Sequence, residues 1–412
     1  MIYIYNILSL IFYKFGYFLI TPKTYSFGGL YLSLFYGIKF CNSRKKKHLL
    51  VIGLINLHEK NFLKIYNIDL ILKIFLKYSF KEKFLSIILS LVLNINLLIL
   101  LILRKIRLWK FFSRYIIFLF PDYIGYGNKD DEIFESKNDI YVNKHKEDFF
   151  LKKINFKFDL QFFDQKIDLS YLYLKNSQIN RSVAFCIKDN NYTKIKRISN
   201  LFSSDVNKCK DSIDYLINQG LIVSKVGEPS MFSFNYLNKS YYDFCYKKNH
   251  QTYLNSEYAN CEFYFGSGAS HGLIPELFNK KRIIINQIDH LELNSMNKNN
   301  FFLFKNVYST KTNSLIKLEE LFQKNLVTWK EIIQAHKNEE IELRENTEKE
   351  IFETLIEFYE YNFKGKKIYD DLNKKYFELR NEYFLKNYKS INIDFLNKVK
   401  YKVSNEYLSN NL

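Results

Sequence analysis

The chain has 412 residues, a net charge of +18 and 47% hydrophobic residues, enough to build two buried cores and too much for one small domain. Its five cysteines form no C-x-x-C pair and its seven histidines show no metal-ligand spacing. That argues against structural zinc and a disulfide framework and fits a reducing cytoplasm.

Residues 1–120 hold 18 Lys and Arg against three acids, Glu59, Asp69 and Glu82, a net of +15 that leaves +3 for 121–412. A basic segment that is also apolar suits an anionic membrane surface, and no nucleic-acid-binding module accompanies it. The 33 Tyr and 39 Phe accompany an excess of Ile, Lys and Asn, as an AT-rich genome produces. Ring content alone therefore marks no binding surface, and the same bias offers a second origin for the lysine excess.

Residues 1–20 are apolar but interrupted by Lys14, and no small-residue cleavage site follows. They predict an amphipathic anchor or a buried helix rather than a signal peptide. Lys47 to Asn56 (KHLLVIGLIN) reads as a buried strand after the basic cluster Arg44 to Lys47. Phe84 to Leu103 is long enough to span a bilayer at a rise of about 1.5 Å per residue. Asn94 and Asn96 near its middle oppose that, and basic residues at both ends select no orientation. Two readings stay open: a membrane-dipping or core helix, which is preferred, and a span. Residues 121–150 turn polar and lead as a loop into a second lobe.

From residue 183 strands and helices alternate. Val183 to Ile187 predicts a strand, followed by a polar loop to about Asp205 and a helix through Ile217 that Gly220 stops. Leu221 to Val226, Cys261 to Phe265 and Arg282 to Asn286 predict three more strands, with a short helix at Leu273 to Phe278. This alternation implies a parallel α/β sheet. The tail after Leu326 reads as charged and helical.

Ligands of open parallel sheets bind beyond the carboxyl ends of the strands. Three features fall there: Lys188-Asp189-Asn190, Lys225 to Ser230, and the Gly/Ser segment Gly266 to Gly272 ahead of a helix. Glycines let backbone approach a phosphate, a helix N-terminus offers free N–H groups, and lysines hold a diphosphate. Each feature is ordinary alone: Lys188 and Lys225 could be solvated surface, and His271 could be a structural hydrogen-bonding residue. Together they suit a nucleotide-diphosphate-sugar donor.

The ordered series FCIKDNNY, RISN, GLIVSKVGEPSM, FYFGSGASHGLIPELF and IIIN resembles a family of bacterial glycosyltransferases of surface-polysaccharide synthesis. That family's pattern runs H-x-R-D, an R-N pair, R-x-G-D-P-S-M, F-x-G-x-S-G before P-x-L-F, and a strand ending in Asn. Leu326 to Ile332 and Glu345 to Ile351 resemble its L-T-x-x-E-I and E-N-x-x-E-I segments. The match covers residues 180–360; upstream, Phe27-Gly28-Gly29 only faintly echoes the family's first lobe.

The resemblance implies a GT-B-like α/β fold of two Rossmann-like lobes with a helical C-terminal tail, divided as 1–165, 166–325 and 326–412. It also implies a donor site that needs no metal or cofactor. Carried over, Lys188 and Asp189 fall on the H-x-R-D end with Cys186 at its His, and Arg197 and Asn200 fall near the R-N pair. Lys225, Gly227, Glu228, Pro229, Ser230 and Met231 cover the second motif. Gly266, Ser267, Ser270, His271 and Gly272 approximate the third. Both motif arginines are lysines here, which keep charge but lose the bidentate fork.

The expected activity is sugar transfer from a nucleotide-sugar donor to a lipid-linked or polysaccharide acceptor, at or anchored in the cytoplasmic side of the inner membrane, with no nucleic acid involved. Asp122, Asp130, Asp131 and Glu228 are candidate bases. The rivals are a catalytically inactive membrane-associated member of a polysaccharide-assembly complex and a transferase of another group, such as pyruvyl or sialyl.

Overall fold

A computed structural model divides the chain into two compact units, residues 1–172 and 173–412. It describes residues 15–20, 47–52, 55–56, 61–62, 75–76 and 78–105 of the first, and 181–195, 200–229, 231–234, 236–247, 250–268, 270–278, 280–290, 298–366, 371–387 and 401–412 of the second.

In the first unit, β1 (Tyr17–Ile20) and β2 (Lys47–Leu50) pair in parallel. The predicted helix over the chain's start is a strand at Tyr17–Ile20; residues 1–14 lie outside the described set. The predicted strand Lys47 to Asn56 breaks into β2 and β3 (Ile55–Asn56), which pairs with β4 (Asn61–Phe62). Leu49, Leu50 and Val51 are fully buried. Helix α1 (Phe80–Lys105) contains the apolar run Phe84 to Leu103. Its start is a capping box: Glu82 accepts the Ser79 N–H at 2.8 Å, and Ser79 Oγ accepts the Glu82 N–H at 3.4 Å. Among the described residues no helix is long and apolar enough to cross a membrane.

The second unit is mixed α/β, with a seven-stranded parallel sheet flanked by helices. Its strands are β5 (Ser182–Cys186), β6 (Ile222–Lys225), β7 (Tyr241–Asp243), β8 (Phe263–Ser267), β9 (Lys281–Gln287), β10 (Phe301–Phe304) and β13 (Lys402–Val403). The antiparallel pair β11 (Asn306–Ser309) and β12 (Ile341–Arg344) stands outside that sheet.

The spatial order is β13-β10-β9-β8-β5-β6-β7. From β5 the chain proceeds outward to β6 and β7, then returns to the other side of β5 for β8, β9, β10 and β13. That is the doubly wound order of a Rossmann-like sheet, and it puts a topological switch between β5 and β8. Helix α3 (Lys210–Asn218) packs with α8 (Glu348–Phe363), where the Tyr215 ring meets Phe352 and Tyr359 edge-on at 6.0 and 5.7 Å. Helix α4 (His250–Asn260) meets α5 (Ser270–Leu277) through Tyr258 and His271.

Four predicted strands stand within two residues of their expected bounds. The stop at Gly220 is a Schellman turn: Gly220 has φ +75°, and the Leu221 N–H returns to the Leu216 carbonyl at 3.1 Å. Corrections lie between them. The expected loop 188–205 contains the short helix α2 (Asn190–Ile195), and α5 begins three residues early, at Ser270. The stretch 326–412 carries α7 (Trp329–Lys337), α8, α9 (Asp371–Asn387) and α10 (Asn405–Asn411), preceded by α6 (Leu318–Gln323). It also supplies β12 and the sheet's edge strand β13.

Candidate functional site

Register places the ends of β5, β6 and β8 side by side: Phe185 faces Lys225, and Cys186 faces Gly266. The three sequence-predicted features therefore leave the same edge of the sheet, around the switch. The β5 and β8 ends are tied across it, the Lys188 N–H donating to Ser267 Oγ at 3.1 Å. Ser267 is held in turn by the Tyr264 hydroxyl, which donates to its carbonyl at 2.7 Å. At Gly266 (φ +155°) a Cβ would overlap the Cys186 carbonyl, so this glycine serves the close approach of two strands.

Lys188 is the informative residue. It is 6% exposed, and among the described residues no carboxylate lies within ion-pair distance of it. Its ammonium lies 5.9 Å from the Phe202 ring centroid, a weak compensation for lost water. Desolvation pulls its pKa down to about 8. Lys305, which follows β10 on the same edge, is also buried, and its pKa too falls to about 8 through desolvation, opposed by Glu345. Its Nζ donates to the Ser203 carbonyl at 2.8 Å, while the adjacent Ser204 N–H donates to the Lys188 carbonyl at 2.7 Å. One loop thus braces both buried lysines.

Asp189 and Lys225 are spent on structure. Asp189 accepts the Tyr192 N–H at 2.8 Å, capping α2, and the Phe232 N–H at 2.5 Å. With both oxygens engaged by backbone, it positions the loop after β6. Lys225, 1% exposed, donates to the Phe232 carbonyl at 2.8 Å and pairs with Asp243 of β7 at 3.0 Å. Desolvation lowers its pKa, but the Cys245 and Asp243 side chains outweigh it and leave the value raised. Lys225 therefore already has its anion.

Glu228 is half-buried just past β6, beside Gly227. His271 and Gly272 sit inside α5, and His271 Nδ1 bonds the Tyr258 hydroxyl at 2.9 Å. Ser270 opens that helix. Arg197, Ser230, Asp122, Asp130 and Asp131 lie outside the described residues. Burial drives the Cys186 thiol up to about 12, the neighbouring lysines notwithstanding, so it stays protonated and is no nucleophile. Among the described residues no group of three or more His, Cys, Asp or Glu could hold a metal ion.

Lys305 and a clasp between Asn286 and Asn346 escaped the sequence reading. The Asn286 N–H donates to Asn346 Oδ1 at 2.9 Å and the Asn346 N–H to Asn286 Oδ1 at 2.7 Å, fixing the α8 start to the end of β9. The signal available for Lys305 was a lone lysine closing the wholly apolar strand FFLF.

Comparison with protein-family models, curated proteins and solved structures finds no match. The class defined by fold and site is a doubly wound parallel α/β domain with a buried cation at its switch point.

Proposed function

We propose that the protein is a glycosyltransferase of GT-B type, using a nucleotide-sugar donor and a lipid-linked or polysaccharide acceptor. The observation that supports this reading is the buried Lys188, with no carboxylate among the described residues in ion-pair distance, at the switch between β5 and β8. An isolated buried cation is costly, and a diphosphate at that edge would balance it. During transfer the acceptor oxygen bonds the anomeric carbon as the carbon–phosphate-oxygen bond breaks. The electron pair leaves on the diphosphate, where Lys188 and Lys305 stabilise it. The acceptor's proton goes to a base; of the four expected candidates, Glu228 is the one among the described residues.

The test is thermal unfolding of the full-length protein with UDP, GDP, CMP and dTDP. At least one is expected to raise the melting temperature, and Lys188→Met to erase that rise without lowering the unliganded value. If none stabilises the wild type, the reading fails. The pairing of Lys225 with Asp243 favours a second reading, an inactive member of a polysaccharide-assembly complex. Such a protein would capture partner subunits and bind no nucleotide.

A further inference from the structure

Helix α1 is inside out for a water-facing helix. Ser79, Glu82, Ser86, Ser90 and Asn94 recur at intervals of three or four, a single stripe along the cylinder. That polar stripe is the side packed on the protein. Lys47 reaches Glu82 at 2.9 Å, Ser86 Oγ donates to the Leu50 carbonyl, the Ile52 N–H donates to Ser90 Oγ at 2.9 Å, and Asn94 donates to the Ile52 carbonyl at 2.8 Å.

The other side carries Phe80, Phe84, Ile87, Leu91, Ile95 and Leu98, an apolar stripe left in the open, with Phe80 86% and Leu91 62% exposed. A contiguous apolar stripe of this length is an interaction surface rather than scattered exposure.

The geometry points to an anionic lipid bilayer as its occupant, with α1 lying in the plane of the membrane surface. Charge selects the lipid: Lys81 is exposed and Lys83 half-buried on the first turn, and residues 1–120 carry +15. Apolar side chains sink to the acyl boundary while lysine heads stay among the phosphates. The attachment of Ser86, Ser90 and Asn94 to β2 and Ile52 keeps protein against one side of the helix, so it rests on the bilayer rather than threading it. This inference is independent of the donor site.

The test is flotation of the full-length protein with vesicles of phosphatidylcholine alone or mixed with phosphatidylglycerol. The wild type is expected to float with the anionic vesicles only. Ile87→Glu with Leu91→Glu should lose at least about tenfold in partitioning, since charges replace about two buried side chains. Lys81→Gln with Lys83→Gln should weaken it roughly fivefold per lysine. Circular dichroism and the milder Ile87→Ser with Leu91→Ser pair control for folding. Absence of wild-type flotation, or equal flotation of the Glu variant, overturns the proposal. So does a drop in the free protein's melting temperature in the Glu variant, which would mean the chain covers this face itself. A change in its oligomeric state without lipid would mean a second copy does.

Discussion

At Lys188 and Lys305 the fold holds two ammonium groups whose folded-state pKa values sit near 8 instead of 10.5. A lysine depressed in this way penalises the folded state wherever it is charged. The contribution of these two lysines to stability is therefore least favourable below about 8 and recovers as pH climbs toward 10.5. Anion binding has the opposite dependence, because it needs the charged form. Nucleotide affinity measured by calorimetry should fall as pH rises through about 8. The unliganded stability gain over the same range should shrink in Lys188→Met; an unchanged gain would show that Lys188 does not titrate there.

Lys225 behaves differently because its charge is matched. Asp243→Asn would strand a buried ammonium and cost roughly 3 kcal/mol in urea unfolding, more than Lys225→Met, which leaves a carboxylate that can reach water. In sequence the two lysines look alike, each closing an apolar strand. What separates them is an aspartate 18 residues away on a strand only three residues long.

At the scale of elements, local chemistry was legible wherever a signal is short-range. Strands β5, β6, β8 and β9 were read from apolar runs, whereas the capping boxes at Ser79 and Thr347, signals of equally short range, were not used. The Thr347 box at α8 is complete in both directions, so Thr347→Ala should cost about 1 kcal/mol by urea denaturation. Gly266→Ala should cost more, about 1–3 kcal/mol, because the added methyl meets the Cys186 backbone rather than a yielding side chain. If Gly266→Ala proved neutral, the strand-end geometry around the switch would be wrong.

Elements that were not legible lack such signals. Helix α4 (HQTYLNSEYAN) has too few apolar residues to show a helical period, and β7 and β13 are too short for any period to show. Similarly, nothing local reveals that α5 starts ahead of Gly272. The helix can begin there because Gly272 lies against Ile284 and the Ser267 carbonyl.

At the scale of the whole molecule, the parallel sheet was legible from alternation, but its order was not, since pairing is decided by contacts distant in sequence. The edge strand β13 comes from the chain's last residues and binds β10, with Tyr401 on Phe302 at 4.6 Å and Tyr407 on Phe304 at 5.8 Å. One carboxylate couples this closing segment to α8: Glu357 accepts the Asn405 N–H at 3.0 Å, and Thr354 donates to Ser404 at 2.9 Å. Desolvation raises Glu357 to about 7, against the pull of the Asn405 N–H and Lys402.

For a carboxyl raised above its ordinary 4.5, the stabilising contribution is complete below 4.5 and lost as pH climbs through about 7. His48 and His290, lowered by burial to about 4 and about 3, act in the opposite sense below 6.5. The diagnostic quantity is therefore the difference in urea midpoint between Glu357→Gln and the wild type. It should be small in mild acid and grow in favour of Gln toward neutral pH, because the amide keeps the Asn405 contact without a charge. Midpoints that move in parallel would mean Glu357 ionises freely, and that the chain's last segment is not docked through a carboxylate in low dielectric.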